Sequence, residues 1–173
     1  MKRKFTNLLS ITLVSFSLAL ILASCGKNNG VTPITPLLRG EMQATISGFG
    51  TFYTKNSQVT DDGSKYTIIA SVPTADGSKD SVSITLVAVK QGITPYTINN
   101  FSSDQTSEMD YCFLQPTGIC NNYRVDQTNG SGALKITSVA SGDNVQGTFS
   151  GAFQNLAGSG SVTISDGEFY APF

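Results

Sequence analysis

The sequence predicts an all-β domain, an antiparallel β-sandwich of about eight to ten strands that begins near residue 40. Short runs of alternating apolar and polar residues recur along the chain, and turn signals rich in Gly, Asn and Asp separate them. No amphipathic helix is predicted after residue 25. An up-and-down barrel of the lipocalin type, with an internal ligand cavity, is the alternative architecture.

The first predicted strands place an apolar residue at every second position. In chain order these positions are Met42, Ala44 and Ile46, then Tyr66, Ile68, Ala70 and Val72, and then Val82, Ile84, Leu86 and Ala88. An aromatic cluster of Phe49, Phe52 and Tyr53 lies between the first two sets. Turns are predicted at 61–63 and 76–78, where Asp and Gly occur together. Val87 and Val89 are apolar on the second face of their strand, so we expect that strand to be central or covered on both sides.

The second half of the domain continues the pattern. A short strand is predicted at 96–99, followed by a polar stretch over 102–110 and a hairpin over 112–120. A strand over 133–140 then turns at 141–144. The apolar face of the return strand consists of Val145, Gly147, Phe149, Gly151 and Phe153, and a turn over 155–160 leads into the last strand.

The last strand changes the parity of its apolar positions. Apolar residues up to Ile164 occupy even positions, whereas those from Phe169 onward occupy odd positions. A strand alternates with period 2, so the change requires an irregularity. Asp166 and Gly167 lie between the two sets, and we therefore predict a β-bulge there with the glycine at positive φ.

The first 24 residues have the layout of an export signal. Three basic residues at positions 2–4 precede an apolar run of about 15 residues. That run is shorter than the roughly 20 residues that a helix needs to span a bilayer. It ends in Leu22-Ala23-Ser24-Cys25, which resembles the lipobox of bacterial lipoproteins. The resemblance implies that the signal peptidase recognises Leu22, Ala23 and Ser24.

By this resemblance the chain is cut before Cys25, whose thiol is the nucleophile that takes a diacylglyceryl group. Each buried methylene contributes about 0.8 kcal/mol, so two or three acyl chains form a firm membrane anchor. Residues 25–39 would be a flexible tether and 40–173 the single β-sandwich domain. We expect the protein in the cell envelope, anchored in the outer membrane. No acidic run that resembles a surface-export signal follows Cys25, so the periplasmic face is favoured over the cell surface. A plain signal peptide or an uncleaved anchor is the alternative.

Composition narrows the function classes. Without residues 1–24 the chain has 149 residues, 8 of them basic and 12 acidic, a net charge of about −4. A nucleic-acid partner would need a basic patch, so none is expected. The sequence has no His, which removes Ser-His and Cys-His catalytic pairs and imidazole zinc sites. The lack of Trp disfavours sugar stacking. No cofactor and no metal are expected.

Two cysteines remain once Cys25 is lipidated. Cys112 and Cys120 form an even pair in an exported protein, which favours a disulfide. A turn over 115–118 with proline in its second position would place the two cysteines opposite each other. Metal binding or a redox role for the two thiols is the alternative.

Acidic and aromatic residues supply the candidate sites. The carboxylates that could serve in acid-base chemistry are Asp61 with Asp62, Asp76 with Asp80, Asp104 with Glu108 and Asp110, and Asp166 with Glu168. Most lie in predicted loops, where Asp stabilises turns. None matches a calcium loop, although residues 104–110 come nearest. Tyr111, Phe113 and Tyr123 flank the cysteines and are a candidate binding edge if the hairpin exposes them.

The C-terminal stretch resembles a family of small Bacteroidota lipoproteins with a G-T-F-S pattern followed by an I-T-D-G-x-F ending. The matching residues are Gly147, Thr148, Phe149, Ser150, Phe153, Ile164, Asp166, Gly167 and Phe169, with Ser165 in place of the usual Thr. Residues 132–138 and 42–48 are also similar. The resemblance implies a β-sandwich and brings no catalytic residue.

Three functions are compatible with the sequence. We favour a non-enzymatic envelope lipoprotein held to the membrane by its lipid, with a sandwich that binds a protein or glycan partner. A carrier of a small hydrophobic ligand, with a barrel cavity, is the first alternative. A hydrolase that works through carboxylates is the second.

Overall fold

The computed structural model of the chain describes residues 36–73, 80–99, 101, 107–115 and 117–173, with only the backbone of Asp80. These residues form strands and no helix. The strands are β1 (Met42–Ile46), β2 (Gly50–Thr54), β3 (Ser57–Asp61), β4 (Lys65–Pro73), β5 (Asp80–Val89), β6 (Tyr96–Ile98), β7 (Glu108–Leu114), β8 (Cys120–Val125), β9 (Ser131–Ala140), β10 (Asn144–Asn155) and β11 (Ser161–Pro172). The predicted all-β class is confirmed.

Several predictions fall outside the described residues. They are the signal peptide, the lipidated cysteine and most of the tether, together with the turn at 76–78 and residues 102–106 of the polar stretch. Among the described residues, no helix has the length and apolar character needed to cross a membrane.

Every strand pair is antiparallel, and the strands belong to one hydrogen-bonded sheet. The order is β2-β1-β11-β10-β8-β7-β5-β4-β3, with β9 also paired to β10 and β6 paired to β9. The sheet divides at β10, because residues 144–152 pair with β9 and the last two residues pair with β8. It nearly closes where Ser57 donates to the Gly40 carbonyl (2.9 Å) and Gly40 donates to the Tyr170 carbonyl (2.7 Å). This arrangement is consistent with a sandwich and with a barrel.

The core is a single cluster of apolar side chains from both parts of the divided sheet. A Cβ added to Gly132 of β9 would lie 2.6 Å from Cε of Met109 on β7, so these strands pack closely face to face. The largest fully buried side chains are Phe52, Phe153, Phe169, Met42, Ile46, Ile68, Ile84, Leu86, Met109, Leu134, Ile136 and Ile164. Burial of each contributes about 1.5–3 kcal/mol relative to exposure. β5 lies between β4 and β7, as its two apolar faces predict.

The predicted bulge in β11 is confirmed. Asp166 and Gly167 together face the single residue Ala44 of β1. The residue with positive φ is Asp166, at 52°, so the prediction that the glycine would have positive φ is wrong. Gly167 is required for a different reason, since a Cβ there would lie 2.4 Å from the carbonyl oxygen of Phe149 on the neighbouring strand.

The β7–β8 hairpin contains the predicted turn and disulfide. The Gly118 amide donates to the Gln115 carbonyl at 2.8 Å, which closes the turn. Cys112 and Cys120 are joined by a disulfide, with their Cα atoms 5.7 Å apart. The residue directly opposite Cys112 is Asn122, so the expected direct opposition of the cysteines is wrong and the bond runs diagonally across the hairpin.

Candidate functional site

A polar pocket of about 340 Å³ lies on the outward face of β5, β7 and β8. The inward positions of β5 are filled by the core, so the residues between them face outward. Two cross-strand rows form the floor of the pocket, one of Ser83, Cys112 and Asn122 and the other of Thr85, Asp110 and Arg124.

Leu156 forms an apolar wall of this outward pocket. It lies in the turn between β10 and β11, and its amide donates to the Asn122 carbonyl at 3.0 Å. Its side chain is half-exposed. The disulfide between Cys112 and Cys120 lies at the same floor. The floor therefore consists of paired strands, two of which are also joined by a covalent bond.

Arg124 and Asp110 form a bidentate ion pair on the pocket floor. Nε of Arg124 donates to Oδ1 of Asp110 at 2.6 Å, and Nη2 donates to Oδ2 at 3.1 Å. Glu108 and Asp126 lie farther from the guanidinium, at 3.5 and 3.9 Å. The hydrogen bonds that Arg124 donates to Asp110 raise the pKa of Arg124, which keeps the guanidinium charged. Two parallel bonds also fix its orientation.

Glu108 lies beside the pocket, two residues before Asp110 on β7. Burial raises the pKa of the Glu108 carboxyl, and the nearby charge of Asp110 raises it further, while Arg124 partly opposes the shift. Asp126 accepts hydrogen bonds from the Thr128 amide at 2.7 Å and so belongs to a turn. Neither Glu108 nor Asp126 lines the pocket.

Three polar groups of the lining face solvent without an intramolecular hydrogen bond in the described part of the chain. They are the hydroxyls of Ser83 and Thr85 and the side-chain amide nitrogen of Asn122. Hydroxyl groups both donate and accept, whereas an amide nitrogen donates twice. These groups are therefore free to bind a ligand.

The other predicted carboxylates have structural roles where the structure describes them. Asp61 accepts a bond from the Gly63 amide at 2.7 Å and pairs with Lys90, which lowers the pKa of Asp61. Asp62 accepts bonds from the hydroxyl and amide of Ser64, which lower its pKa. Both carboxylates stabilise the β3–β4 turn.

The remaining acidic candidates differ in their positions. Glu108 and Asp110 lie in β7, so their predicted loop location is wrong. Glu168 accepts a bond from the Gln43 amide at 3.2 Å, and Asp166 lies in the bulge. Asp76, Asp104 and the side chain of Asp80 lie outside the described residues. Within the described ranges, no three acidic or sulfur side chains are grouped to hold a metal ion.

The three residues of the predicted aromatic edge differ in their exposure to solvent. Tyr111 is 3% exposed and belongs to the core, and Tyr123 packs half-buried against it with ring centroids 5.7 Å apart. Phe113 is 37% exposed and contacts Phe49 of the β1–β2 turn edge-on, at 5.8 Å between centroids. Of the three predicted residues, only Phe113 contributes substantial surface.

Arg124 was not predicted as a site residue. The expected register, with Cys112 opposite Cys120, places Asp110 opposite Asn122, whereas the structure pairs Asp110 with Arg124. The opposite charges of these two residues were the available signal. Opposite charges directly across an antiparallel pair stabilise it. The free hydroxyls of β5 carry no comparable signal, because Ser and Thr are ordinary on the outward face of a strand.

Comparison with known proteins gives no match. No protein-family model matches the chain, and no curated protein or solved structure is significantly similar to it. The resemblance to Bacteroidota lipoproteins therefore stays a prediction.

Proposed function

We propose that the chain is a non-enzymatic envelope lipoprotein that is anchored through Cys25 and binds a small polar partner in the outward pocket. The observation that carries the binding role is the pocket itself, in which Ser83, Thr85 and Asn122 offer free polar groups around a fixed ion pair. The anchor is supported by the sequence of residues 1–25, with its basic start, apolar run and lipobox-like end.

The geometry of the pocket favours binding over catalysis. A general acid or base needs a carboxyl group that is free to exchange a proton with its substrate. Both oxygens of Asp110 accept bonds from Arg124, so the carboxylate is held in the ion pair. Such a pair is suited to holding a ligand in a fixed orientation.

The carrier of a hydrophobic ligand is the second candidate. It would need an open apolar cavity between the two parts of the sheet. The largest inward side chains, among them Phe153 and Phe169, are fully buried in one cluster. This packing favours a ligand on the outside of the sheet.

The anchor is tested by metabolic labelling with radioactive palmitate and by membrane fractionation. We expect the label and the membrane association to disappear in Cys25→Ala. The double variant Cys112→Ser/Cys120→Ser is the matched control, since it removes the other two thiols and should keep the label. Labelling that persists in Cys25→Ala would disprove the anchor.

A further inference from the structure

The two charged side chains that line the outward pocket neutralise each other. Among its lining residues in the described part of the chain, Asp110 and Arg124 carry the charge, and they are paired with each other. An anionic ligand would meet the Asp110 carboxylate, and a cationic ligand would meet the guanidinium. Because each charge is already neutralised by its partner, neither ion would gain a full counterion, so the pocket is suited to a neutral ligand.

The hydrogen-bonding groups of the pocket alternate between donors and acceptors. Each carboxylate oxygen of Asp110 has a second lone pair, and Arg124 has five N–H donors, of which two are used on Asp110. Ser83 and Thr85 lie on β5 and Asn122 lies on β8, so the free groups flank β7, which carries Asp110, and adjacent strands are about 4.8 Å apart. A ligand with several hydroxyl groups can reach donors and acceptors on all three strands.

Leu156 adds an apolar surface beside these polar groups. A sugar ring has a C–H face as well as hydroxyl groups, so one apolar wall and a polar floor can contact both. The volume of about 340 Å³ is within the range of small-molecule sites. Since the chain has no Trp, contact would come from hydrogen bonds and this aliphatic wall.

We propose that the outward pocket binds a neutral saccharide, with the floor of Thr85, Asp110 and Arg124 as its main hydrogen-bonding surface. This inference rests on the proposed function, because it names the class of the polar partner. The disulfide and the bidentate pair order the floor before binding, which reduces the entropy lost when a ligand is held.

The test uses the full mature chain, purified in a detergent without sugar groups and labelled with ¹⁵N. The neutral probes are glucose, galactose, mannose, N-acetylglucosamine and their 1,4-linked disaccharides, and the charged probes are citrate and spermidine. We expect a neutral saccharide to shift the backbone amide signals of residues 83–85, 110–112 and 122–124.

Two matched substitutions locate the site. Thr85→Val removes one hydroxyl from the pocket floor at nearly constant shape and should weaken saccharide binding by roughly three- to tenfold in calorimetry. Thr60→Val makes the same change at an exposed position of β3 outside the pocket lining and should leave the affinity unchanged. An equal loss in both variants would contradict the assignment.

The charged probes separate the two proposals. If citrate or spermidine shifts the pocket signals and the saccharides do not, the saccharide inference is wrong while the binding function stands. If no probe shifts these signals, both the saccharide inference and the binding role of the pocket are overturned. Anchoring through Cys25 is decided independently by palmitate labelling.

Discussion

Replacement of Tyr96 by phenylalanine should stabilise the protein. The Tyr96 side chain is 8% exposed, and its hydroxyl is the one fully buried side-chain polar atom without a hydrogen-bond partner among the described residues. A buried polar group that lacks a partner costs about 1–3 kcal/mol. Tyr96→Phe removes only that hydroxyl, so it should raise the free energy of unfolding by a similar amount.

The gain should increase in alkali. Burial, with the nearby Tyr66 contributing, raises the pKa of Tyr96 to about 12 from its ordinary value of 10.0. The Gln91 backbone opposes this effect through a polar contact that lacks the geometry of a hydrogen bond. Between pH 10 and 12 an unfolded tyrosine loses its proton and the folded one keeps it, so wild-type stability falls as pH rises. Phenylalanine has no proton to lose, and the advantage of Tyr96→Phe should grow by about 1.4 kcal/mol per pH unit in this window.

Urea unfolding at pH 7 and pH 11, followed by circular dichroism, measures both effects. We expect the urea midpoint of Tyr96→Phe to rise by about 0.5–1.5 M at pH 7. Tyr53→Phe is the matched control with the opposite sign, because the Tyr53 hydroxyl donates to Glu41 at 2.6 Å. A Tyr96→Phe variant that loses stability as Tyr53→Phe does would refute this reasoning.

Three further changes test other parts of the fold. Gly167→Ala should cost about 1–3 kcal/mol because its Cβ would meet the Phe149 backbone, whereas Gly158→Ala, in open space, should stay within about 0.5 kcal/mol in urea unfolding. Removing the disulfide, which joins residues eight apart, should cost about 2.5 kcal/mol in the same assay, and an unchanged midpoint would contradict its stabilising role. Burial raises the pKa of Glu108, so the folded state binds this proton more tightly and stability falls as pH rises through that pKa. Glu108→Gln should therefore gain stability relative to wild type at pH 7 but not at pH 3, and a gain of equal size at both would count against this assignment.

The strands were predictable because the sheet buries one face of most of them. Alternation places Ile68 and Ile84 inward with no knowledge of the partner strands, and the parity change in β11 locates the bulge. Alternation does not predict the division of the sheet at β10. A short turn joins β9 to β10, whereas the pairing of β10 with β8 passes over β9 and has no local signal.

The pocket was less predictable for the same reason. Its lining comes from three strands and a turn, and polar residues on an outward strand face look alike in sequence. The backbone conformation at the bulge was also not predicted. Asp tolerates positive φ, so Asp166 adopts it, and Gly167 is needed instead for its close approach to Phe149. Long-range packing, rather than local preference, decided both features.

The mass of the N-terminal peptide of the mature protein is the decisive measurement for lipid anchoring. We expect a peptide that begins at Cys25 and carries a diacylglyceryl group on sulfur with a further acyl chain on its amine. A mature protein that begins elsewhere, or one whose Cys25 thiol is unmodified, would contradict it.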